Sequence, residues 1–314
     1  LDCSPDAAAQ TGSYRHGMDL VDEIERFLTT ENPYQRSGMS TEELTETQAA
    51  WDTIAAGYDT FITPTHLWLG EQALKRAGVA AGERFLDVAA GSGALSIPAA
   101  RRGAHVVSTD ISPVMAERLL ARAADEGLSD IEARVMDGHD LDLEDNTFDV
   151  AGSQFGVMLF PDLPRAVGEM ARVTKPGGRV LLVVYGPPAQ IEFLGFCMGA
   201  IQAVVPGFPG LPMDPPPLPF QVADPRKLHA ELVKAGLEDV TVETITERLE
   251  FQTGRQLWDW IANSNPIGAE LVGHLNADQQ AAAVGVLDGM LRERSGGKGP
   301  AVLTNPIHIG VGTA

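Results

Sequence analysis

LDVAAGSGALS, residues 86–96, sets a Gly-Ser-Gly turn between a short apolar run and a helix-like run. A glycine turn after the first strand of an α/β sheet lets backbone come close to a nucleotide-bearing ligand, because no Cβ stands in the way. Two glycines by themselves carry little weight, since ordinary tight turns have the same text. The surrounding sequence has to decide.

Working outward, RFLDVAA (84–90) reads as a buried strand, and ALSIPAARRG (94–103) as a helix closed by Gly103. AHVVSTD (104–110) is the next strand. Ser112-Pro113 predicts the N-cap and first residue of a helix that Gly127 ends. IEARVMD (131–137) and TFDVAGSQFG (147–156) predict a third and a fourth strand. Asp162 can cap a helix through AVGEMARV (166–173), Lys175-Pro176-Gly177-Gly178 predicts a sharp turn, and RVLLVVYG (179–186) a fifth strand. Strands alternating with helices over about 100 residues predict an α/β fold with a doubly wound, parallel sheet and a ligand at the carboxyl ends of its strands.

The flanks read as covers. TEELTETQAAWDTIAAGYDT (41–60) predicts an amphipathic helix ending near Gly57-Tyr58, and HLWLGEQALKRAG (66–78) a second, so 41–80 forms an N-terminal helical cover before a core at 81–186. Residues 187–226 read as a cover insertion whose proline-rich PGFPGLPMDPPPLPF (206–220) is a rigid loop bordering the site. Residues 227–314 complete the sheet: helix, turn and strand in 227–251, then helical text from LWDWIANS (257–264) to residue 293, then the alternating strand AVLTNPIHIGVGTA (301–314). The segment between the last two strands, about 252–298, is too long for a hairpin and predicts a helical substrate cover. Residues 1–40 read as a partly disordered N-terminal extension: the text starts at Leu1, and Met39 opens MSTEELTETQ as a natural start would, although MDLVDEIERFL (18–28) has helical spacing.

A formal charge of −20 repels phosphate backbones, so the expected partner is a small molecule, with no nucleic acid and no membrane; a homodimer is compatible with this. Two cysteines, Cys3 and Cys197, give neither a disulfide framework nor a metal cluster, and no other spacing argues for a metal. With no leader and no long apolar run, the expected compartment is the cytoplasm.

Charge also separates two ligands that the loop could serve. Asp87, Asp110 and Asp137 end or nearly end three successive strands. Asp110, 19 residues after Gly91, suits the ribose hydroxyls of either a dinucleotide or S-adenosylmethionine (SAM). Asp87 suits only one. A carboxylate roughly 6 Å from a pyrophosphate charge costs about 3 kcal/mol at an effective dielectric near 20. SAM has no phosphate and is cationic overall, so nearby carboxylates favour it. Asp at a strand end also simply caps turns.

These residues resemble the class I SAM-dependent methyltransferases, in particular the quinone-biosynthesis and small-molecule branch, over about residues 51–186. Asp87-Val88-Ala89-Ala90-Gly91-Ser92-Gly93 is similar to the family's glycine loop, with Ala89 where the first glycine usually stands, a mild departure because Ala is small. STDIS (108–112), including Asp110 and Ile111, resembles the ribose segment, and Met115 the residue that packs on the adenosine. Met136-Asp137-Gly138 resembles the adenine turn, KPGGRVLLV (175–183) the turn into strand five, and WDTIAAGYD (51–59) the segment that closes over the cofactor through Tyr58. The resemblance implies a Rossmann-like seven-stranded sheet, mostly parallel, with VTVETI (240–245) as strand six. LTNPIHIGVG (303–312) would be an antiparallel strand seven lying between the fifth and sixth. It implies SAM as cofactor and methyl transfer to an O, N or C nucleophile of a small, partly apolar metabolite. After strand four, Gln154 is the polar group placed to face the cofactor, and the run Phe155-Gly156-Val157-Met158-Leu159-Phe160 suits an apolar wall or core packing equally. A general base is optional, with His66, Tyr58 and, more weakly, His139 as candidates. Two alternatives stay open: an NAD(P)-dependent oxidoreductase on the same loop, disfavoured by Asp87 and Ser96, and a non-catalytic SAM-binding partner protein.

Overall fold

The computed structural model describes residues 41–208, 210 and 216–314. The expected extension at 1–40 and part of the proline-rich stretch lie outside them. The predicted alternation is present. β1 (Arg84–Val88), β2 (His105–Asp110), β3 (Ile131–Val135), β4 (Phe148–Gln154) and β5 (Thr174–Tyr185) pair in parallel. β6 (Glu238–Phe251) and β7 (Ala301–Thr313) complete a seven-stranded sheet in the order β3-β2-β1-β4-β5-β7-β6. β7 is antiparallel to both of its neighbours, as a strand inserted between the fifth and the sixth. Strands that are apolar along their whole length, such as Val180–Val184, are buried because helices cover both faces.

Helices α1 (Thr41–Gly57), α2 (Thr63–Arg76), α3 (Ser96–Arg101), α4 (Pro113–Asp125) and α5 (Leu163–Val173) flank the first five strands. The predicted caps form: Ser112 Oγ accepts from Met115 N, and Asp162 accepts from Arg165 N. Two local expectations differ. The helix expected to stop at Gly57-Tyr58 runs on through a π-turn, Tyr58–Ile62, directly into α2. Gly57 is there for packing, since a Cβ on it would lie 1.6 Å from Asn263 Oδ1. Lys175–Gly178 is a bulge within β5 and not a turn before it. The register jumps from Phe148↔Thr174 to Val150↔Arg179, and Gly177 takes φ +78°.

The remaining helices are α6 (Glu192–Val204), α7 (Pro225–Lys234), α8 (Gly254–Ala262), α9 (Pro266–Gly273) and α10 (Ala277–Arg294). α6 lies in the segment read as loop and cover. β5 ends opposite Ile307, whereas β6 and β7 stay paired out to Phe251↔Ala301. The two strands thus project past the sheet as an arm. Leu249, Phe251, Ala301 and Leu303 on that arm bury against α6, α8, α9 and α10, forming a second hydrophobic cluster beside the sheet core.

Candidate active site

The carboxyl ends of β1, β2, β3 and β4 open into a cavity that, with the solvent at its mouth, spans about 880 Å³. Its floor is the glycine loop. Ala89, Gly91 and Gly93 all have positive φ (+55°, +54° and +99°). Ala89 therefore occupies the left-handed region, so its departure from glycine is a matter of backbone conformation rather than of size. Its Cβ also restricts a neighbour: a Cβ on Gly156 would lie 2.5 Å from it.

Asp110 lines the cavity with its carboxylate already oriented. Gly91 N donates to Oδ2 at 2.8 Å, and Ser112 N to Oδ1 at 2.9 Å. Burial pushes it up to about 6 against these two bonds. Ile111 lines the wall beside it. Ser112 also ties in the cover, its hydroxyl donating to Asp52 Oδ1 of α1.

Asp87 lies lower. It is buried beneath the loop rather than in the lining. Ser96 Oγ donates to its Oδ2 at 2.5 Å, while Oδ1 has no hydrogen-bond partner. Burial pushes Asp87 up to about 7, with Ser96 opposing and Asp110 adding to the rise.

Met136, Asp137, Gly138 and His139 form the third edge. Asp137 Oδ1 accepts from His139 N at 2.9 Å and faces His139 Nδ1 at 2.8 Å. Burial raises Asp137, but the His139 bonds outweigh it and leave the carboxyl below its ordinary value. His139, a weak base candidate, is thus committed to Asp137 and packs against Phe160 at a tilt of 32°, centroids 4.5 Å apart. A Cβ on Gly138 would lie 2.6 Å from Phe160, so the turn needs glycine.

Tyr58 closes over the loop from the π-turn: a Cβ on Gly91 would lie 3.2 Å from its ring. Burial, then Asp110 and Asp87, raise the Tyr58 hydroxyl well above its ordinary value. It stays protonated near neutrality, which suits a donor and not a base. Gln154, at the end of β4, lines the cavity. Its Nε2 donates to the His66 carbonyl at 3.2 Å, and its Oε1 is buried without a partner.

Five expected residues do not line the cavity. Besides Asp87, Ser92 is buried against Thr63 Oγ1 at 2.6 Å. Gly93 lets the loop pack on Ile97 and Leu119. Met115 is buried in α4, a position fixed by the Ser112 cap. His66 is also off the lining, 3% exposed, with its ring 5.0 Å from Phe155 and 6.0 Å from Trp260. Burial pushes its imidazole down to about 3. The described part of 206–220 contributes nothing to the lining; Phe208 instead packs into the second cluster. Sequence reading missed Thr47 and Trp51 of α1 and Asn265–Ile267 at the start of α9. The Asn265-Pro266 pair was a visible helix-start signal, since Asn265 caps α9 through Gly268 N, but nothing local ties it to the loop at 89–93.

The methyltransferase domain family matches residues 86–182. An uncharacterised protein of Mycobacterium tuberculosis is 33% identical over 216 residues, covering 68% of this chain and 76% of that protein. A demethylmenaquinone methyltransferase of Clavibacter sepedonicus is 34% identical over 168 residues, 51% of this chain and 66% of the relative. Among solved structures, a phosphoethanolamine N-methyltransferase 2 of Haemonchus contortus, in complex with phosphomonomethylethanolamine and S-adenosylhomocysteine, is similar with a TM-score of 0.53. It is 17% identical, covering 88% of this chain and 60% of that one, a likeness of fold.

Proposed function

The chain belongs to the class I SAM-dependent methyltransferases, and on that premise we propose how its own residues hold the donor and where the acceptor enters. One observation carries the assignment. Among the described residues the cavity is lined by two carboxylates, Asp110 and Asp137, and by no lysine or arginine. A pyrophosphate there would meet negative charge with no countercharge, whereas a cationic donor meets what it lacks. Two buried acceptor atoms without partners, Asp87 Oδ1 under the loop and Gln154 Oε1 in the wall, fit the same sign. The nicotinamide alternative is not favoured.

Asp110 accepts from the ribose hydroxyls, its orientation set in advance by Gly91 N and Ser112 N. Asp137 accepts from the adenine amino group, with Ile111 and Met136 as apolar sides. Ala89 and Gly91 present backbone to the donor, Gln154 receives its ammonium end, Asp87 adds negative charge from beneath the loop, and Tyr58 shuts the loop from water. SAM supplies a methyl group already activated by its sulfonium. The chain contributes alignment and water exclusion, which for an in-line displacement are the main requirements. The wall of Phe155, Leu159, Phe160 and Ile267 supports a small, partly apolar acceptor, as does the likeness to an enzyme named for demethylmenaquinone.

Calorimetry against SAM, S-adenosylhomocysteine and NAD tests the donor assignment. SAM and its demethylated product are expected to bind and NAD is not; NAD binding without SAM binding would overturn it. Methyl transfer from labelled SAM into a cell extract, with mass spectrometry of the product, distinguishes a working enzyme from a binding-only protein and identifies the acceptor.

A further inference from the structure

Tyr58 covers the glycine loop only while the π-turn keeps its shape, and the side chains that hold the turn stand outside the cavity. Asp52, Asp59, Arg118 and Arg122 are all off its lining. Asp59 is in the turn, directly after Tyr58. Arg122 Nη2, from the last turn of α4, donates to the Asp59 carboxylate at Oδ1 and also to the Asp59 backbone carbonyl, the latter at 2.9 Å. Arg118, one helical turn earlier, brings Nη1 to 3.6 Å from Asp59 Oδ2. Asp52 of α1 accepts from Ser112 Oγ at the start of the same helix.

Two features set these contacts apart from an ordinary surface ion pair. The first is water. The Asp59 and Arg122 side chains keep only 23% and 21% of their exposure, and the Nε atoms of Arg118 and Arg122 are buried without a hydrogen bond. Both guanidiniums are drawn out of solvent toward one carboxylate, where a charged pair is screened less than at an open surface. The second is the carbonyl. In the π-turn Thr63 N donates to Tyr58 O, five residues back. That wider spacing is out of step with the α-helices on either side, and backbone carbonyls at the junction are open to an outside donor. Arg122 supplies one at the next carbonyl along, Asp59 O. It therefore favours the π form over an even helix.

Helix α4 thereby carries both halves of the closed site. At its start Ser112 N orients Asp110 for the donor while Ser112 Oγ holds α1, and at its end Arg122 holds the turn that carries Tyr58. Resting on the donor assignment above, we infer that Arg122, assisted by Arg118, is a positioning residue of the donor site. It stabilises the π-turn through Asp59, keeps Tyr58 over Gly91, and so slows the departure of the bound donor and of its demethylated product.

Release of tritiated S-adenosylhomocysteine from the full chain, chased with excess unlabelled compound, tests this. Arg122→Ala removes the carboxylate and the carbonyl contact together and should release the ligand about tenfold faster. Arg122→Lys keeps the charge without the two-pronged geometry and should stay within about threefold of wild type. Arg101→Ala is the control for a merely structural role. It breaks an ion pair with two 2.7 Å hydrogen bonds that joins α3 to Glu126, just past α4, and should leave release unchanged. If Arg122→Ala fails to fold, Asp59→Asn keeps the side-chain size, removes its charge and should speed release about threefold. Unchanged release in the folded variant, or equal acceleration by Arg101→Ala, overturns the inference. Absence of S-adenosylhomocysteine binding by the wild type overturns the donor assignment beneath it instead.

Discussion

The sheet core and the arm-borne cluster are built in different ways. The first is assembled from neighbours in sequence: each strand lies beside an earlier one, returning through a helix except between β3 and β4, and runs such as Val180–Val184 are buried wherever they fall in the sheet. The second is assembled from strangers. Ile62, Ile201, Phe251, Trp260, Leu287 and Leu303 come from six separate elements that meet only because β6 and β7 extend past β5. The cavity at the strand ends and the arm thereby rest on separately packed halves.

The largest expected effect tests that separation. Trp260 is buried between Phe193, Phe251 and His66. Trp260→Ala should cost about 3–5 kcal/mol of stability in a denaturant titration. SAM affinity of the folded protein should stay within about threefold, roughly 0.7 kcal/mol. Loss of SAM binding in step with stability would make the two halves one unit. Next, Asp110→Ala should weaken SAM binding by about 1–3 kcal/mol, because two ribose hydroxyls lose their charged acceptor. Unchanged affinity in a folded variant, read by calorimetry, would remove Asp110 from the donor site.

A smaller effect is in the pH profile. Asp87, at about 7, and Asp110, at about 6, take up protons in the free protein as the pH falls through those values, and a bound cation favours their ionised forms. Binding should then release protons, so SAM affinity rises by about tenfold from pH 5.5 to pH 7 and levels off above. Binding enthalpies in buffers of different ionisation heat measure the release; a flat profile would show that neither carboxylate feels the donor. The sign for the free protein is opposite. Both folded values lie above the unfolded 3.8, so these two groups contribute stability at low pH that is lost as pH rises from about 4 to 7. The smallest effect is Ala89→Gly. Relief of a left-handed alanine, offset by glycine's extra unfolded-state freedom, should stabilise the protein by roughly 0.5–1 kcal/mol in a thermal melt. A loss would mean that the Ala89 methyl packs more usefully than its backbone is strained.

The same division explains what could be read from sequence. Ser112 and Asp162 were legible as caps because capping is local, and the three strand-end aspartates because each follows its own apolar run. The facing of Asp87 was not. Successive side chains on a strand point to opposite faces, and only the packing of Ser96 beneath the loop decides which face lies under it. That Met115 is buried off the lining was illegible for a similar reason, since the phase of its helix follows from the cap geometry. Thr47 and the meeting of His66 with Glu247 had no local signal, and the helix start at Asn265-Pro266 gave none of its place at the cavity: each depends on contacts between segments far apart in the chain.

The π-turn at Tyr58–Ile62 acts as a phase setting for the cover. A hydrogen bond that skips one residue further than in an α-helix inserts one extra residue, and in an α-helix each residue is worth about 100° of rotation. Deleting a single residue there would restore an even helix while leaving its composition almost untouched. It would also swing everything before it, with Trp51 and Thr47, about a quarter-turn off the cavity. The closure of this site is therefore written as a count of residues as much as in their identity.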